Sequence, residues 1–392
     1  MGRIEYHLAS TVLRLVGLLC SVLPIARRRV VLATARTSTL DGNLAHLYAA
    51  MRAQRPDLDY VLLLEPYSYG FAGKLRYLGR LIRGMYHLRT ASLFVVDNAY
   101  LPIHVGRHRR GTTVVQVWHA VAALKRFGAD VLTPLAEPER RFLHHHYDYV
   151  VSSAQASKAI YAKAFRTPME HVLPLGAPRT DFFVDDAAMA AARDRVLAAY
   201  PALAGRRVVL YAPTFRGRGV AKRAAPGLDA VALRAALPAD TLLVLKTHPN
   251  LDPRATSTAG FDLVVDRIAE INELFTVADV LITDYSSSIF EWALLHRPLV
   301  LLVPDLAAYE ADPGLYLDYR TEMIGAHVTD TAGVIDALLG ERFDLAPYDA
   351  FIAHHMGDSV GRASDRFVER FLGRRPGSGR RSDTLPRDVR HE

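Results

Sequence analysis

The sequence predicts an α/β protein of two doubly wound, parallel-sheet domains that face each other across a cleft. Three observations carry that expectation. Apolar runs of four to six residues, rich in Val, Leu and Ile, recur along the chain between helix-length segments. They fall in two sets, and a helical pattern over residues 189–200 breaks at a Pro/Gly stretch, 201–205, between them. The polar clusters that could bear chemistry follow directly on the runs, at their carboxyl ends. Continuous apolar runs mark strands covered on both faces, as parallel sheets are.

In order, the first set lies at residues 30–34, 60–64, 92–97, 113–118, 149–152 and 172–175. The second lies at 207–211, 242–246, 262–266, 280–283 and 299–303. This predicts a first domain over residues 30–200 and a second over 201–372. A chain of 392 residues has room for both. Half its residues are hydrophobic, which supports two cores and argues against disorder. The Arg-, Gly- and Pro-containing stretch 373–392 lacks periodicity and is expected to be a disordered basic tail. Cys20 is the single cysteine, which excludes an internal disulfide and a cysteine-based zinc cluster. The net charge of +7 suits anionic substrates or an anionic membrane face without choosing between them.

Residues 1–29 are expected to form an apolar helix with a basic flank. The apolar stretch 8–25 is short for a membrane span and is interrupted by Arg14. No small-residue cleavage site follows it, which argues against a secretory signal. Two readings remain: a helix lying in a membrane interface with Arg27, Arg28 and Arg29 reaching lipid phosphates, or a helix packed on the core.

Chemistry is sought where strands end, because open parallel sheets bind ligands beyond their carboxyl edges. The run 280–283 turns at Asp284 and Tyr285 into a helix that begins at Ser286, Ser287 and Ser288. Unpaired N–H groups, the helix dipole and small hydroxyls make such a junction a phosphate cradle; plain N-capping is the alternative. Glu291 stands one turn on, where it could take ribose hydroxyls or pair with a cation. Lys246, Thr247 and His248 end another strand and suggest anion contact, while Pro213 and Thr214 end a third. Arg179, after the sixth run, offers a guanidinium fork for a phosphate or an interdomain ion pair. His119, beyond the fourth run, can move a proton near neutral pH, although a satisfied core histidine is the alternative. Asp57 and Asp59 read as a turn, and His144, His145 and His146 as a helix-surface cluster, so no metal site is expected. The arrangement suggests a nucleotide diphosphate held by the second domain, with the first supplying base and acceptor.

These segments also carry a resemblance. Gln116-Val-Trp-His119 with Leu124-Lys125 and Gly128, Gly176-Ala-Pro-Arg179, Tyr211-Ala-Pro-Thr-Phe-Arg216, Lys246-Thr-His-Pro249 and Leu281-Ile-Thr-Asp-Tyr-Ser-Ser287 follow in that order. Gly314-Leu-Tyr-Leu-Asp-Tyr319 and Gly361-Arg-Ala-Ser364 come later. The whole, over roughly residues 34–372, resembles the CDP-glycerol glycerophosphotransferase family.

The resemblance implies two Rossmann-like domains in the GT-B arrangement and transfer of an alditol phosphate from a CDP-alditol, glycerol phosphate first among them. The acceptor would be a hydroxyl of a lipid-linked or polymeric glycan, as in teichoic acid or capsule synthesis, with CMP released. It implies catalytic roles for His119, as general base, and His248. Trp118, Ala120, Val121, Ala122, Arg179, Pro213, Thr214, Lys246, Thr247, Ser286, Ser287 and Glu291 fall on donor-binding positions. No cofactor, metal or nucleic acid is implied, and a peripheral place on the cytoplasmic face of the cell membrane is expected. The compact length favours a primase-like role. Ala120 and Val121 depart from a common Gly-Thr, Glu291 from a commoner Asp, and Thr321-Glu-Met-Ile-Gly325 stands where Pro-Gly-Pro is frequent. The competing reading is a sugar-nucleotide glycosyltransferase on the same fold, acting on a cell-envelope glycan.

Overall fold

A computed structural model of the protein describes residues 3–66, 70–131, 143–217, 223, 225–247, 257–268, 270–341 and 343–373. Among them, twelve strands form two six-stranded sheets in which every pairing is parallel. The first sheet comprises β1 (Ala26–Thr34), β2 (Asp59–Leu64), β3 (Ala91–Val96), β4 (Thr113–Gln116), β5 (Tyr149–Val151) and β6 (Val172–Leu173). The second comprises β7 (Arg207–Tyr211), β8 (Thr241–Leu245), β9 (Leu263–Val264), β10 (Val280–Thr283), β11 (Leu299–Leu302) and β12 (Ala326–Val328).

Both sheets are buried on both faces, and the side-chain alternation of a strand shows how. In β1, Val31 and Ala33 join one core while Val30 and Leu32 join the core on the opposite face. In β7, Val208 and Leu210 divide from Val209 and Tyr211 in the same way. All eleven expected runs become strands. The twelfth, β12, is absent from the sequence reading because it is three residues long, lies at a sheet edge and exposes His327.

Strand order fixes where ligands can enter. The first sheet runs β2-β1-β3-β4-β5-β6 and the second β12-β11-β10-β7-β8-β9. The order reverses between β1 and β3 in one sheet and between β7 and β10 in the other, which opens a crevice at the carboxyl end of each pair. Arg36 and Asp97 lie just beyond β1 and β3; Thr214 and Asp284 lie just beyond β7 and β10.

Helix Asp186–Ala199, capped by Asp185 accepting from the Ala188 amide at 2.9 Å, leads through a short turn at Pro201–Leu203 into β7. The chain then returns. Helix Ala363–Leu372, which the sequence assigns to the second domain, packs Phe367 and Val368 into the first-domain core with Val30 and Leu32. Asp181 secures its start by accepting from the Ala363 and Ser364 amides at 2.9 and 2.8 Å. The tail from residue 374 lies outside the described residues.

The N-terminal helix α1 (Arg3–Leu19) packs on the core along one side and leaves an apolar stripe exposed on the other. Tyr6, Ser10 and Leu13 are buried, and α1 packs against α3 (Phe71–Thr90). Ile4, Leu8, Leu15 and Leu18 on the other side are 58–78% exposed. Among the described residues no helix is long and apolar enough to cross a membrane. The basic flank is corrected: β1 begins at Ala26, so Arg27–Arg29 belong to a strand, and Arg29 donates to the Thr90 hydroxyl at 2.9 Å. The histidine cluster is corrected too, since His144 is buried among Trp118, Phe165 and Tyr147 rather than on a helix surface.

Candidate active site

On the first-domain side, β4 runs out at Gln116 and the chain turns sharply. Trp118 takes a left-handed backbone, φ 51°, which costs a non-glycine residue about 1–2 kcal/mol. Two side chains hold it there. Gln116 Oε1 accepts from the Trp118 amide at 2.9 Å, and Asn43, buried at the start of α2 (Gly42–Gln54), donates to the Trp118 carbonyl at 2.9 Å. The Trp118 indole stacks on Phe127, with ring centres 4.9 Å apart, and so anchors the turn in the core.

The turn delivers His119 to the first crevice. Its Nδ1 lies 3.3 Å from the Asp97 carbonyl oxygen, and since a carbonyl only accepts, Nδ1 carries the proton. Nε2 is left with its lone pair, as a general base needs. Burial pushes the imidazole pKa down to about 4, helped by the Arg36 and Arg179 guanidiniums. The neutral form therefore prevails at pH 7. Asp97 is itself buried, with Oδ1 unpartnered among the described residues, and burial raises its carboxyl to about 6. Arg36 reaches Asp41 at 2.6 Å and stands 3.9 Å from Asp97.

Arg179 joins this side to the second domain. Its amide donates to Asn43 Oδ1 at 3.1 Å and its Nη1 to the His119 carbonyl at 3.4 Å. Its Nη2 meets Glu270 at 2.7 Å, and its Nε lies 2.6 Å from Glu291 in an ion contact without hydrogen-bond alignment. Asn272 donates to the same Glu291 oxygen at 2.7 Å. Glu291 is buried, and burial lifts its carboxyl above the ordinary glutamate value despite the guanidinium. Here Arg179 and Glu291 are committed to each other. The guanidinium fork expected to face a phosphate is occupied by two carboxylates, and the alternative, an interdomain ion pair, forms with Glu270 and Glu291.

On the second-domain side, the strand-to-helix junction lies where expected. Helix Ser288–Ala293 follows β10, and Ser286 Oγ shares a hydrogen bond with Ser288 Oγ at 2.7 Å. The Ser287 hydroxyl has no hydrogen-bond partner among the described residues. Asp284 does not cap the helix. It accepts from the Thr214 amide at 2.8 Å, the Thr214 hydroxyl at 3.0 Å and Arg216 at 2.7 Å, which clamps the ends of β7 and β10 together. Arg216 is further held by Asp305, and Tyr285 stacks on Tyr309 at 3.8 Å. Lys246 ends β8 and donates to the Ile268 carbonyl, while burial lowers its pKa. His248 lies outside the described residues.

The structure thus gathers His119, Arg179 and Glu291 into one network and sets Pro213, Thr214, Ser286 and Ser287 around the second switch point. Val121 and Ala122 turn their side chains into the second domain's core, so only their backbone can meet a ligand. Sequence reading missed Asn43, Asp97, Glu270 and Asn272. Asn43 alone left a sequence signal, in Asp41-Gly-Asn43 at the start of a helix. Among the described residues no three His, Cys, Asp or Glu side chains gather to hold a metal ion. A cavity of about 530 Å³ lined by Met323, Phe351, His354 and His355 lies before β12 and includes none of the site residues.

Known proteins share the family and the fold. The profile of the family described as CDP-Glycerol:Poly(glycerophosphate) glycerophosphotransferase matches residues 17–373. The teichoic acid ribitol-phosphate primase of Bacillus spizizenii is 34% identical over 91% of this chain and 94% of its own length. The teichoic acid poly(ribitol-phosphate) polymerase of the same organism is 31% identical over 94% of this chain, which spans 58% of that protein. Among solved structures, the wall teichoic acid polymerase TagF superposes with a TM-score of 0.73 at 22% identity, over 93% of both chains. The Staphylococcus aureus protein MnaA, solved with UDP, superposes at 0.53 and 14% identity over 88% of this chain and 97% of its own, a likeness of fold. The chain belongs to the CDP-glycerol:poly(glycerophosphate) glycerophosphotransferase family.

Proposed function

We propose that the protein transfers ribitol phosphate from CDP-ribitol to a hydroxyl of a lipid-linked teichoic acid acceptor, with CDP-glycerol as the second donor to test. One observation carries the phosphotransfer reading: a neutral histidine, His119, with its proton fixed on Nδ1, set beside an interdomain network that leads to a nucleotide-type switch point. The preference for ribitol over the glycerol expected from sequence rests on the near-full-length similarity to a ribitol-phosphate primase.

In this reading His119 Nε2 takes the proton of the acceptor hydroxyl as that oxygen attacks the alditol-bearing phosphorus. The bond from that phosphorus to the bridging oxygen breaks, and CMP leaves. Ser286, Ser287 and Lys246 bind the donor phosphates, with His248 a further catalytic group, while Pro213, Thr214 and the backbone of residues 120–122 line the nucleotide. Arg179 and Glu291 act by holding the two domains in register.

The exposed stripe Ile4, Leu8, Leu15 and Leu18 is proposed to seat the protein on the cytoplasmic face of an anionic membrane, where a lipid-linked acceptor resides. Flotation with phosphatidylglycerol vesicles tests this: wild type should float, and L8E/L15E should not. Equal flotation of the two removes the seat. The donor is tested by nucleotide release: CMP from CDP-ribitol or CDP-glycerol, UDP from UDP-glucose and GDP from GDP-mannose. Turnover of a CDP-alditol supports the reading; turnover of the sugar nucleotides alone sinks it.

A further inference from the structure

The loop that carries His119 continues across the cleft and is pinned to the second domain. Lys125 bridges to Leu315, the Arg126 amide donates to the Gly314 carbonyl at 3.0 Å, and the Tyr316 amide donates to the Leu124 carbonyl at 2.9 Å. This fastening places the Lys125 ammonium 5.3 Å from the centre of the Tyr309 ring, beside the second switch point. There it makes no hydrogen bond or ion pair with any described residue. The nearby carboxylate, Asp284, already has both oxygens occupied by Thr214 and Arg216. Asp305, the other acid of this cluster, is taken by Arg216 and Tyr285.

Lys125 is half-buried, and a cation partly withdrawn from water without a partner is unfavourable unless an anion completes it. Burial draws the Lys125 pKa down to about 8, against the pull of Asp284 and with the push of Arg216. The aromatic face of Tyr309 softens this cost without cancelling it.

We propose that Lys125 is a donor-contacting catalytic residue: its ammonium binds the alditol-bearing phosphate of the CDP donor, the group being transferred. This deepens and rests on the proposed CDP-alditol reading. Lys125 follows the base His119 by six residues on one loop, so it enters the second crevice on the same segment that carries the base. The serines approach from the opposite domain. The phosphate between the two is the one that changes partners, and its negative charge is what Lys125 offsets during attack. The nucleotide-side phosphate remains with the serine junction.

Binding of the intact chain to CDP-ribitol, CDP-glycerol and CMP by calorimetry tests the assignment. K125Q should weaken the CDP-alditol about 10- to 100-fold, the range lost with a hydrogen bond to a charged group, and change CMP affinity less than about twofold. K125R should recover most of the loss. Wild type alone gives a second readout. Its CDP-alditol affinity should fall as pH rises above about 8, where free Lys125 loses its proton, and its CMP affinity should not. Among the facing groups, Asp305 is held low by its hydrogen bonds from Arg216, Arg216 is held high by Asp305 and Asp284, and burial raises the Tyr309 and Tyr211 phenols well above their usual range, so none of these four changes charge near pH 8. Equal CDP-alditol affinity in K125Q, equal losses for CMP and CDP-alditol, or a flat pH profile overturns the assignment and leaves the donor reading intact. Wild type that binds neither CDP-alditol overturns both.

Discussion

Replacing Arg179 with Leu separates a structural role from a ligand role. The guanidinium is 14% exposed and touches Glu270 at 2.7 Å and Glu291 at 2.6 Å, while Glu291 is 2% exposed. Without Arg179, Glu291 retains a single hydrogen bond, from Asn272, and stays sealed between the domains. Breaking a buried pair by removing one partner costs about 3–5 kcal/mol. At about 2–4 °C per kcal/mol for a large domain, melting should fall by roughly 6–20 °C. Burial already raises the Glu291 carboxyl, and losing the guanidinium raises it further. A raised carboxyl binds its proton in the folded state before the unfolded one, so acidification stabilises this variant relative to wild type. The melting gap should therefore be widest near pH 8 and narrow toward pH 5. R179L/E291L should regain part of the loss, because no charge is then left buried. Calorimetric melting across pH is the assay. A variant that melts within 1 °C of wild type while losing donor affinity would refute the latch and return Arg179 to the phosphate.

H119A should fold as wild type and lose turnover by about 10²–10⁴-fold, the usual contribution of a positioned base; full turnover would remove the assignment. In kcat/KM, the acid limb should lie below pH 6.5, since burial pushes His119 down to about 4, and a limb at or above 6.5 would contradict this. N43A strips the Trp118 carbonyl and the Arg179 amide of their partner, so it should lower stability by about 1–3 kcal/mol in urea unfolding and slow turnover as well. S286A/S287A should weaken CMP and CDP-alditol affinity together; unchanged CMP affinity would count against the phosphate cradle.

The parts of the fold that repeat were legible in the sequence. Strands such as Val30–Thr34 and Val280–Thr283 announce themselves because both faces are buried, and their ends point to the site by topology alone. The chain's return was not legible. Phe367 and Val368 look like any amphipathic helix face, and nothing local says which sheet they cover. The same limit hid the partners of Arg179: Glu270 and Glu291 lie 91 and 112 residues away in sequence, and only the closed arrangement of two sheets brings them within 2.7 Å. Asp97 was overlooked because a polar residue ending a strand resembles a turn, yet its backbone carbonyl sets the proton position of His119. Lys125 was visible as part of a motif, but its lack of a partner is a property of three dimensions.

The central claim is that His119 drives alditol-phosphate transfer across the cleft. Its most direct test is mass analysis of a lipid-linked glycan acceptor incubated with CDP-ribitol or CDP-glycerol and the intact chain. The account predicts an acceptor heavier by one or more alditol phosphates, one CMP per unit added, and a rate of product formation by H119A lower by about 10²–10⁴-fold. An acceptor that gains mass only from a UDP- or GDP-sugar, or an equal rate from H119A, would contradict it.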